Sequence, residues 1–403
     1  MKCRACNKDI VPFFSLGMMP LVNSFLKKKQ LPREKKYNLS LSFCPSCYLV
    51  QLNKTVPPEE LFRNYIYFSS TSSKFLEHCR KTANYLTRRF RLHSSSLVLE
   101  VASNDGAQLQ YFKKLGIPVL GIDPAQNIAK IANAKGIRTI PEFFNFKFAQ
   151  ILSREKKIQA DLVFGANVLA HVPEIVDFVK GIKCILKSTG SAVFEFPYVA
   201  GLFENKFDTI YHEHVFYYSL LALRNLFLQA HLIIYDVELT EMQGGSLRIF
   251  VSHPNVFPVT RYVTRMLARE RKADFNDIHL YHHIKTNIEK LRSDILRTLT
   301  ALKKEGKTIA AYSAPAKGNV LLNYFGIGSN YLDFIVDKSK AKQELYAPGT
   351  HLLINPPTKI YKKNPDYLLI LCWNIADEVM EEYKNYHTKG GKFIIPIPQL
   401  KII

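Results

Sequence analysis

The chain has 403 residues, which predicts two or three domains rather than a single core. Hydrophobic residues make up 47% of the chain and charged residues 22%, and this composition excludes a disordered protein. The formal charge of +21 is spread along the chain, so it indicates a solvated basic surface or a polyphosphate-bearing substrate before it indicates nucleic acid.

The sequence also bears on where the protein works. Its first residues contain no apolar stretch of the kind found in secretory signals, and no apolar run approaches the roughly 20 residues of a membrane span. We therefore expect a cytoplasmic protein, a monomer, with neither nucleic acid nor a membrane as a partner.

Two Cys-x-x-Cys pairs mark the first block, residues 1–75. Cys3 and Cys6 form one pair, and Cys44 and Cys47 form the other. In a cytosolic protein such pairs indicate a metal before a disulfide. Two of these turns brought together make the closed four-thiolate site that zinc prefers, with redox motifs or unligated core cysteines as the alternatives. Because a four-thiolate site leaves no position open for substrate, we interpret the zinc as structural.

The central block, residues 76–255, alternates helical and strand-like segments. A helix is predicted over 75–91. Strands are predicted over 96–102, 119–122, 160–164 and 190–196. Such alternation is typical of a parallel, doubly wound, Rossmann-like sheet.

The last block, residues 256–403, predicts a second and smaller α/β unit. Its charged segment over 260–305 has a helical pattern, and a further helix is predicted to start at 320. Strands are predicted over 308–312, 332–336, 367–371 and 392–395.

A candidate cofactor loop follows the first central strand. It begins at Ser103 and Asn104, and Gly106 would let a ligand approach the backbone. The loop lacks the GxGxxG pattern that serves a dinucleotide. Carboxylates at Glu100, Asp105 and Asp123 would repel a pyrophosphate and attract a sulfonium, and Asp123 is placed to take ribose hydroxyls. The pattern favours S-adenosylmethionine over NAD, and a generic strand–turn–helix remains the alternative.

Two histidine-bearing segments follow later strands. Asn167 and His171 come after the third predicted strand, where the carboxyl ends of parallel strands should face one pocket. The segment from Tyr211 to His214 reads Tyr-His-Glu-His. If it is extended, Tyr211 and Glu213 share one face and the two histidines the other. A metal site and a surface cluster are alternatives, but the zincin spacing is absent and we favour proton chemistry.

In the last block, Lys317 and Gly318 follow a predicted strand, and a helix is expected to start at Asn319. This arrangement predicts an anion site at a helix N-terminus, with an ordinary turn bearing an exposed lysine as the alternative.

Taken together, these segments resemble one family. The motifs CRAC, CPSC, YIYFSS, VLEVASNDGAQL, GIDPAQN, NVLAHV, DTIYHEHVFYYSL, GGSLR, YSAPAKGN and VDKSKAK occur in family order from Cys3 to about Pro398. The chain thus resembles the sugar C-methyltransferases of deoxysugar biosynthesis, which methylate C3 of nucleotide-linked 4-keto sugars. The resemblance implies an α/β protein of three parts: a small zinc-binding module, a central Rossmann-like S-adenosylmethionine methyltransferase domain and a C-terminal Rossmann-like domain that binds the nucleotide.

The resemblance also implies roles for individual residues. The zinc ligands would be Cys3, Cys6, Cys44 and Cys47. The cofactor pocket would contain Glu100, Ser103, Asn104, Gly106, Asp123 and Asn167, to which we add Asp105. The catalytic group would be Tyr67, His171, Tyr211, Glu213 and His214. The stretch that meets the nucleotide phosphates would contain Ser313, Lys317 and Asn319.

On this basis we expect His214 to remove the proton at the sugar C3. Tyr211 and Tyr67 would donate to the sugar oxygens, His171 would assist, and Glu213 would polarise a neighbour or position the sulfonium end. The nucleotide would be of the dTDP or GDP type. Phe216, which departs from the family pattern, is the position expected to tune the substrate. The rival hypotheses are an O- or N-methyltransferase, an NAD-dependent nucleotide-sugar enzyme and a zinc-containing RNA-binding protein.

Overall fold

The computed structural model describes residues 1–63, 65, 68–240 and 244–403. Its strands are β1 (Val11–Pro20), β2 (Lys36–Phe43), β3 (Val50–Leu52), β4 (Val98–Val101), β5 (Val119–Ile122), β6 (Thr139–Ile140), β7 (Ala160–Ala166), β8 (Leu186–Pro197), β9 (Phe216–Tyr217), β10 (Ile233–Thr240), β11 (Ser246–Ser252), β12 (Ile309–Tyr312), β13 (Phe334–Val336), β14 (Ile354–Asn355), β15 (Tyr367–Ile370), β16 (Lys392–Ile395) and β17 (Lys401–Ile402). Its α-helices are α1 (Pro58–Phe62), α2 (Ser73–Phe90), α3 (Leu109–Lys114), α4 (Gln126–Ala134), α5 (Phe146–Gln150), α6 (Ile175–Ile185), α7 (Leu220–Gln229), α8 (Arg261–Lys272), α9 (Ile278–Lys304), α10 (Ala316–Phe325), α11 (Thr358–Lys363), α12 (Ala376–Glu382) and α13 (Lys384–Thr388).

The central sheet has seven strands in the order β10-β11-β8-β7-β4-β5-β6. Strands β4 to β8 are parallel, and β11 runs antiparallel to both β8 and β10. All four residues of β4 are buried, as expected of a strand that is covered on both faces. The chain passes from β4 to β5 and β6 on one side and then returns to β7 and β8 on the other. The strand order therefore reverses at β4, where open α/β sheets bind their ligands.

The predicted central elements are present, β5 at its predicted bounds and the others with shifted ends, but β6, β9, β10 and β11 were not predicted. The sequence of β11 interrupts its apolar run with Arg248, which reads as a surface position. In the fold this arginine is buried and pairs with Glu195 of β8 at 2.7 Å, so a neighbouring strand supplies the partner that makes burial possible.

The C-terminal sheet has the order β14-β13-β12-β15-β16-β17, and it is parallel except for β17. Here the strand order reverses at β12, which is followed by α10. Helix α10 begins at Ala316, earlier than the start predicted from the sequence, and this places Lys317 in its first turn.

The zinc-binding module is tied to both larger parts. Its antiparallel sheet has the order β1-β2-β3-β9, and its last strand belongs to the central block. Helix α9 buries residues at three- and four-residue intervals and packs on β1. The ring of Tyr281 lies 4.9 Å from that of Phe43 and 5.4 Å from that of Phe13. No helix among the described residues combines the length and apolar character needed to cross a membrane.

Candidate functional site

The four paired cysteines converge at one point. The sulfur atoms of Cys3, Cys6, Cys44 and Cys47 all lie within 4.8 Å of one another. The Sγ atoms of Cys3 and Cys47 are 3.5 Å apart, as are those of Cys6 and Cys44. Zinc–thiolate bonds of about 2.3 Å in a tetrahedron need sulfurs at about this spacing, so the donor set fits a structural zinc ion.

Each cysteine pair sits on a tight turn. The backbone N–H of Asn7 donates to the carbonyl of Cys3, and the N–H of Tyr48 donates to that of Cys44. Both Asn7 and Tyr48 have positive φ, which reverses the chain directly after each pair. The local sequence therefore directs the thiolates of each pair to the same side.

A cleft of about 1500 Å³ lies between the carboxyl ends of the two parallel sheets. On one side it is lined by the ends of β4, β5, β7 and β8, as the sequence predicted. On the other side it is lined by the loop after β12 and by the loop after β13. The zinc-binding module and the segment that connects it to the central part also contribute to the lining, through Asn23, Phe62 and Tyr65. One cavity is thus shared by all three parts of the chain.

The central side of the cleft is acidic and partly unsatisfied. Burial, followed by repulsion from Asp123 and Asp105, raises the pKa of Glu100 well above its usual range. One Glu100 oxygen and the Ser103 hydroxyl are buried without a hydrogen-bond partner. Such buried polar atoms require a partner, and a ligand with donors and positive charge would supply it.

Asp123 is held by the loop around it. Its carboxylate accepts the backbone N–H of Asn104 at 2.8 Å and that of Ala125 at 2.9 Å. Burial raises the pKa of Asp123, while these two hydrogen bonds act in the opposite direction. Asn104 and Asn167 also line the cleft, both with positive φ, and the Asn167 N–H donates to the Glu195 carbonyl at 2.6 Å. These residues fit the predicted S-adenosylmethionine pocket.

Two predicted cofactor residues lie outside the cleft lining. The Asp105 carboxylate is turned away, where it accepts from the Ser70 hydroxyl and pairs with Lys135 at 3.0 Å. Gly106 has a φ of +78°, and a Cβ there would lie 3.0 Å from Ile137. Asp105 and Gly106 therefore shape the loop, Asp105 by anchoring it and Gly106 by permitting a left-handed, closely packed turn.

His214 is a buried residue of the cleft lining, with both ring nitrogens engaged. Its Nδ1 lies 2.8 Å from the carbonyl oxygen of Thr209, so Nδ1 carries the proton. Its Nε2 then accepts from the Tyr211 hydroxyl at 2.8 Å. Burial, followed by the nearby His171 and Lys317, lowers the pKa of His214 well below its usual range. The imidazole is therefore neutral, with its basic nitrogen on the side of Tyr211.

The Tyr-His-Glu-His segment is a turn and not an extended strand. The His214 N–H donates to the Tyr211 carbonyl at 2.9 Å. The side chains of Tyr211 and His214 therefore lie on the same side of the turn. This corrects the expectation that Tyr211 and Glu213 would share one face of an extended segment. His212 is buried away from the cleft, with its ring 5.8 Å from that of Tyr37.

His171 joins this group, as the sequence suggested. Its ring lies 4.8 Å from that of His214 in an edge-to-face arrangement, and its Nδ1 is buried without a partner. Burial lowers the pKa of His171 to about 4. Tyr67, the remaining predicted member, lies outside the described residues.

Glu213 lies behind the cleft wall. Its two oxygens accept from Asn23 Nδ2 at 2.6 Å and from the Tyr65 hydroxyl at 2.8 Å. Burial raises the pKa of Glu213, while the two hydrogen bonds oppose that shift. Because Asn23 and Tyr65 line the cleft and Glu213 does not, the geometry does not place this carboxylate against a bound sulfonium.

On the C-terminal side, Ser313 and Lys317 line the cleft. Ser313 has a φ of 70°, a conformation that glycine adopts more easily, and its hydroxyl donates to Asp337 at 3.2 Å. The Lys317 ammonium lies 5.3 Å from the centre of the Trp373 ring. Burial lowers the pKa of Lys317, and Asp208 opposes that shift.

Two further expectations are corrected here. Asn319 is fully buried and donates from Nδ2 to the Val22 carbonyl at 2.8 Å, so it ties the zinc-binding module to α10 and does not line the cleft. Phe216 is buried in β9, where it pairs with Gln51 of β3. Phe216 therefore belongs to the inter-domain sheet and has no direct contact with the cleft.

Several residues at or beside the site were not predicted from the sequence. Asn23 and Tyr65 reach the cleft from the first block, and both contact Glu213. Asp208, fully buried beside the Tyr-His-Glu-His turn, accepts from the Trp373 indole N–H at 2.6 Å. Trp373 is the one tryptophan of the chain, which could have marked it as a candidate.

Known proteins match the chain over the same three parts. Family models described as a zinc binding domain, a methyltransferase domain and a C-methyltransferase C-terminal domain match residues 3–62, 74–235 and 241–398, respectively. The C-methyltransferase NovU of Streptomyces niveus is 34% identical over 406 residues, which cover 100% of this chain and 96% of that protein.

Solved structures are similar at a much lower level. The magnesium protoporphyrin IX methyltransferase ChlM of Synechocystis PCC 6803, solved with bound SAH, has a TM-score of 0.36 and 12% identity, covering 44% of this chain and 83% of its own. The methyltransferase CcbJ of Streptomyces caelestis has a TM-score of 0.35 and 13% identity, covering 43% of this chain and 89% of its own. Likenesses this low do not bear on function.

The full-length relative and the three successive family models decide the classification. They confirm the resemblance to C-methyltransferases with a zinc-binding N-terminal domain, and the four-cysteine cluster agrees with the predicted zinc. The chain belongs to the C-methyltransferase family and is an S-adenosylmethionine-dependent enzyme.

Proposed function

We propose that this enzyme methylates a carbon next to the ketone of a nucleotide-linked 4-keto-deoxysugar, with C3 as the acceptor carbon and His214 as the base. The observation that carries the proposal is the neutral His214–Tyr211 pair, which lines the cleft that the two parallel sheets share. A carbon acceptor agrees with the family. A sugar acceptor is what the resemblance of the sequence motifs to the deoxysugar enzymes implies.

A carbon atom becomes nucleophilic only after it loses a proton. The proton next to a ketone is removable because the negative charge moves onto the ketone oxygen. His214 is suited to this step, since its Nδ1–H is fixed on the Thr209 carbonyl and its Nε2 presents a lone pair. A positioned base of this kind contributes about 10²–10⁴ in rate.

The developing oxyanion needs a hydrogen-bond donor. Tyr211 already donates to His214 Nε2, so the hydroxyl lies next to the nitrogen that takes up the proton. Once the sugar lies between them, the hydroxyl donates to the ketone oxygen while Nε2 faces the carbon-bound proton. A donor aimed at a developing oxyanion contributes about 10²–10³.

The acidic side of the cleft holds S-adenosylmethionine through Glu100, Ser103, Asn104, Asp123 and Asn167. When bound there, the cofactor supplies an electrophilic methyl group on a sulfonium. The carboxylates stabilise positive charge, and Asp123 takes the ribose hydroxyls. The basic side holds the nucleotide through Lys317 and the lysines of the loop after β13. Holding both reactants against each other contributes up to ~7–11 kcal/mol to the barrier reduction.

The test is proton exchange in deuterated water. The enzyme is incubated with S-adenosylhomocysteine and a dTDP-linked 4-keto-6-deoxyhexose, and the sugar protons are followed by NMR. We expect the C3 proton to exchange with wild-type enzyme and not with His214→Asn. Exchange at C5 instead would move the acceptor carbon to the other side of the ketone. Exchange that persists in His214→Asn would exclude this residue as the base.

A further inference from the structure

A short segment of the zinc-binding module contributes one residue, Asn23, to the lining of the cleft. This segment, residues 21–26, is called the strap, and it follows directly after β1. It is fixed to the C-terminal part of the chain at two points. The Val22 carbonyl accepts from Asn319 at 2.8 Å, and Leu26 exchanges two backbone hydrogen bonds with Tyr346, at 3.0 and 2.8 Å. These bonds fix the strap to the C-terminal part on both sides of Asn23.

Asn23 lies between these two anchor points and lines the cleft. Its side chain donates from Nδ2 to Glu213 Oε1 at 2.6 Å. A carboxylate accepts hydrogen bonds, so the amide nitrogen is the group that faces Glu213. The planar amide then directs Oδ1 away from Glu213. One end of Asn23 is thus occupied by the protein, while the other is free to serve a ligand.

Glu213 fixes a second cleft residue in the same way. Its Oε2 accepts from the Tyr65 hydroxyl at 2.8 Å, and Tyr65 lines the cleft beside Asn23. Glu213 is buried, and its position on the turn that carries Tyr211 and His214 is set by the catalytic segment itself. One carboxylate therefore holds Asn23 and Tyr65 in register with the proposed base.

We propose that Asn23 is a substrate-positioning residue, whose amide, oriented by Glu213, hydrogen-bonds a ring hydroxyl of the sugar next to the reacting carbon. This inference rests on the proposed function, because it requires a hydroxylated sugar in the cleft. It gives the zinc-binding module a role in substrate selection, since the strap that leaves β1 carries the recognition group. A site built to hydrogen-bond a hydroxyl rejects analogues that lack it, because its own polar group is left unpaired.

The test measures each enzyme variant with each acceptor sugar. The enzymes are wild type, Asn23→Ala, Asn23→Ser and the control Ser24→Ala, which alters an exposed residue of the same strap. The acceptors are the intact dTDP-linked 4-keto-6-deoxyhexose and analogues that lack the C2 or the C3 hydroxyl. Methyl transfer is measured as kcat and KM, and S-adenosylhomocysteine affinity is measured alongside.

We expect wild type and Ser24→Ala to prefer the intact sugar, by about 10- to 100-fold in kcat/KM, over the analogue that lacks the hydroxyl bound by Asn23. Asn23→Ala should lose most of that preference by turning over the intact sugar more slowly, with unchanged S-adenosylhomocysteine affinity. Asn23→Ser, which keeps a hydroxyl, should lie between the two.

Two results would overturn the inference on its own. Either Asn23→Ala retains the wild-type preference, or it slows the intact sugar and both analogues by the same factor, which is the signature of a structural role. A wild-type enzyme that methylates none of these sugars would instead overturn the proposed function, and the sugar-binding role of Asn23 with it.

Discussion

The two parallel sheets present the same backbone arrangement to the cleft with different charged side chains. An aspartate ends the second strand of each sheet, Asp123 after β5 and Asp337 after β13. Each accepts a backbone N–H at 2.8 Å from the loop that follows the first strand, donated by Asn104 in one case and Ala314 in the other. Each also accepts the N–H of the second residue after itself. The two halves therefore repeat one backbone solution.

The two aspartates differ in the charged side chains that surround them. Asp337 pairs with Lys342 at 3.2 Å. Lys340 and Lys338 of the same loop also line the cleft, and Lys338 pairs with Glu382. Asp123 forms no ion pair within the described part of the chain, and Glu100 lies close enough to repel it. The fold supplies two equivalent crevices, and a few side chains make one suited to a cation and the other to phosphates.

Removal of the zinc should have the largest effect, because the zinc-binding module touches both halves. Structural zinc contributes about 10–16 kcal/mol in small zinc domains. Chelation, or Cys44→Ser, should therefore lower the melting temperature and abolish methyl transfer, since the strap and the β3–β9 pairing depend on the folded module. The check is a thermal melt and an activity assay with and without chelator, with zinc added back as the control. Full activity in a metal-free enzyme would contradict the structural role.

The His214→Asn variant removes the proposed base from the cleft that the two halves share. Turnover should fall by about 10²–10⁴, the usual contribution of a positioned base. The affinities for S-adenosylhomocysteine and for dTDP should stay near the wild-type values, because the ligand sites on either side are untouched. Single-turnover kinetics and calorimetry measure both. A variant that retains more than a few percent of turnover shows that another group removes the proton.

A reciprocal pair of substitutions tests the charge difference itself. Asp123→Asn should weaken S-adenosylhomocysteine about 10- to 100-fold and leave dTDP unaffected. The double variant Lys338→Ala/Lys340→Ala should weaken dTDP up to about 10-fold, more at low salt, and leave S-adenosylhomocysteine unaffected. Each variant is the control for the other, and calorimetry provides both constants. If either substitution weakens both ligands equally, the cleft is not divided by charge.

Much of this organisation follows from local sequence. The short apolar run of β4, bounded by turn residues, predicts a covered strand. Each Cys-x-x-Cys turn directs its two thiolates to the same side, and the two pairs converge in the fold. The cleft lining on the central side could be predicted for the same reason, because carboxyl ends of parallel strands meet at one edge. The resemblance to the family extended the prediction of site residues to the C-terminal half.

What could not be predicted depends on side-chain direction and on distant contacts. Asp105 and Glu100 look equivalent in sequence, but only Glu100 lines the cleft, because Lys135 and Ser70 bind the other carboxylate. Asn23 meets Glu213 across 190 positions of the chain. No local pattern encodes that contact, since it exists only after the module docks.

The smallest expected effect concerns how the basic half acts on the base. Burial, His171 and Lys317 all lower the pKa of His214, so His214 is deprotonated and competent at neutral pH. The acid limb of kcat/KM should therefore lie below pH 6.5, the ordinary value for histidine.

Lys317→Met removes one of the positive charges that disfavour the imidazolium, so the limb should move toward higher pH. Lys340→Met, which removes a cleft lysine that is not among the causes of the His214 shift, should leave the limb in place. The pH profiles of the three enzymes measure this directly. A limb that stays fixed in Lys317→Met would mean that the basic half binds the nucleotide without tuning His214.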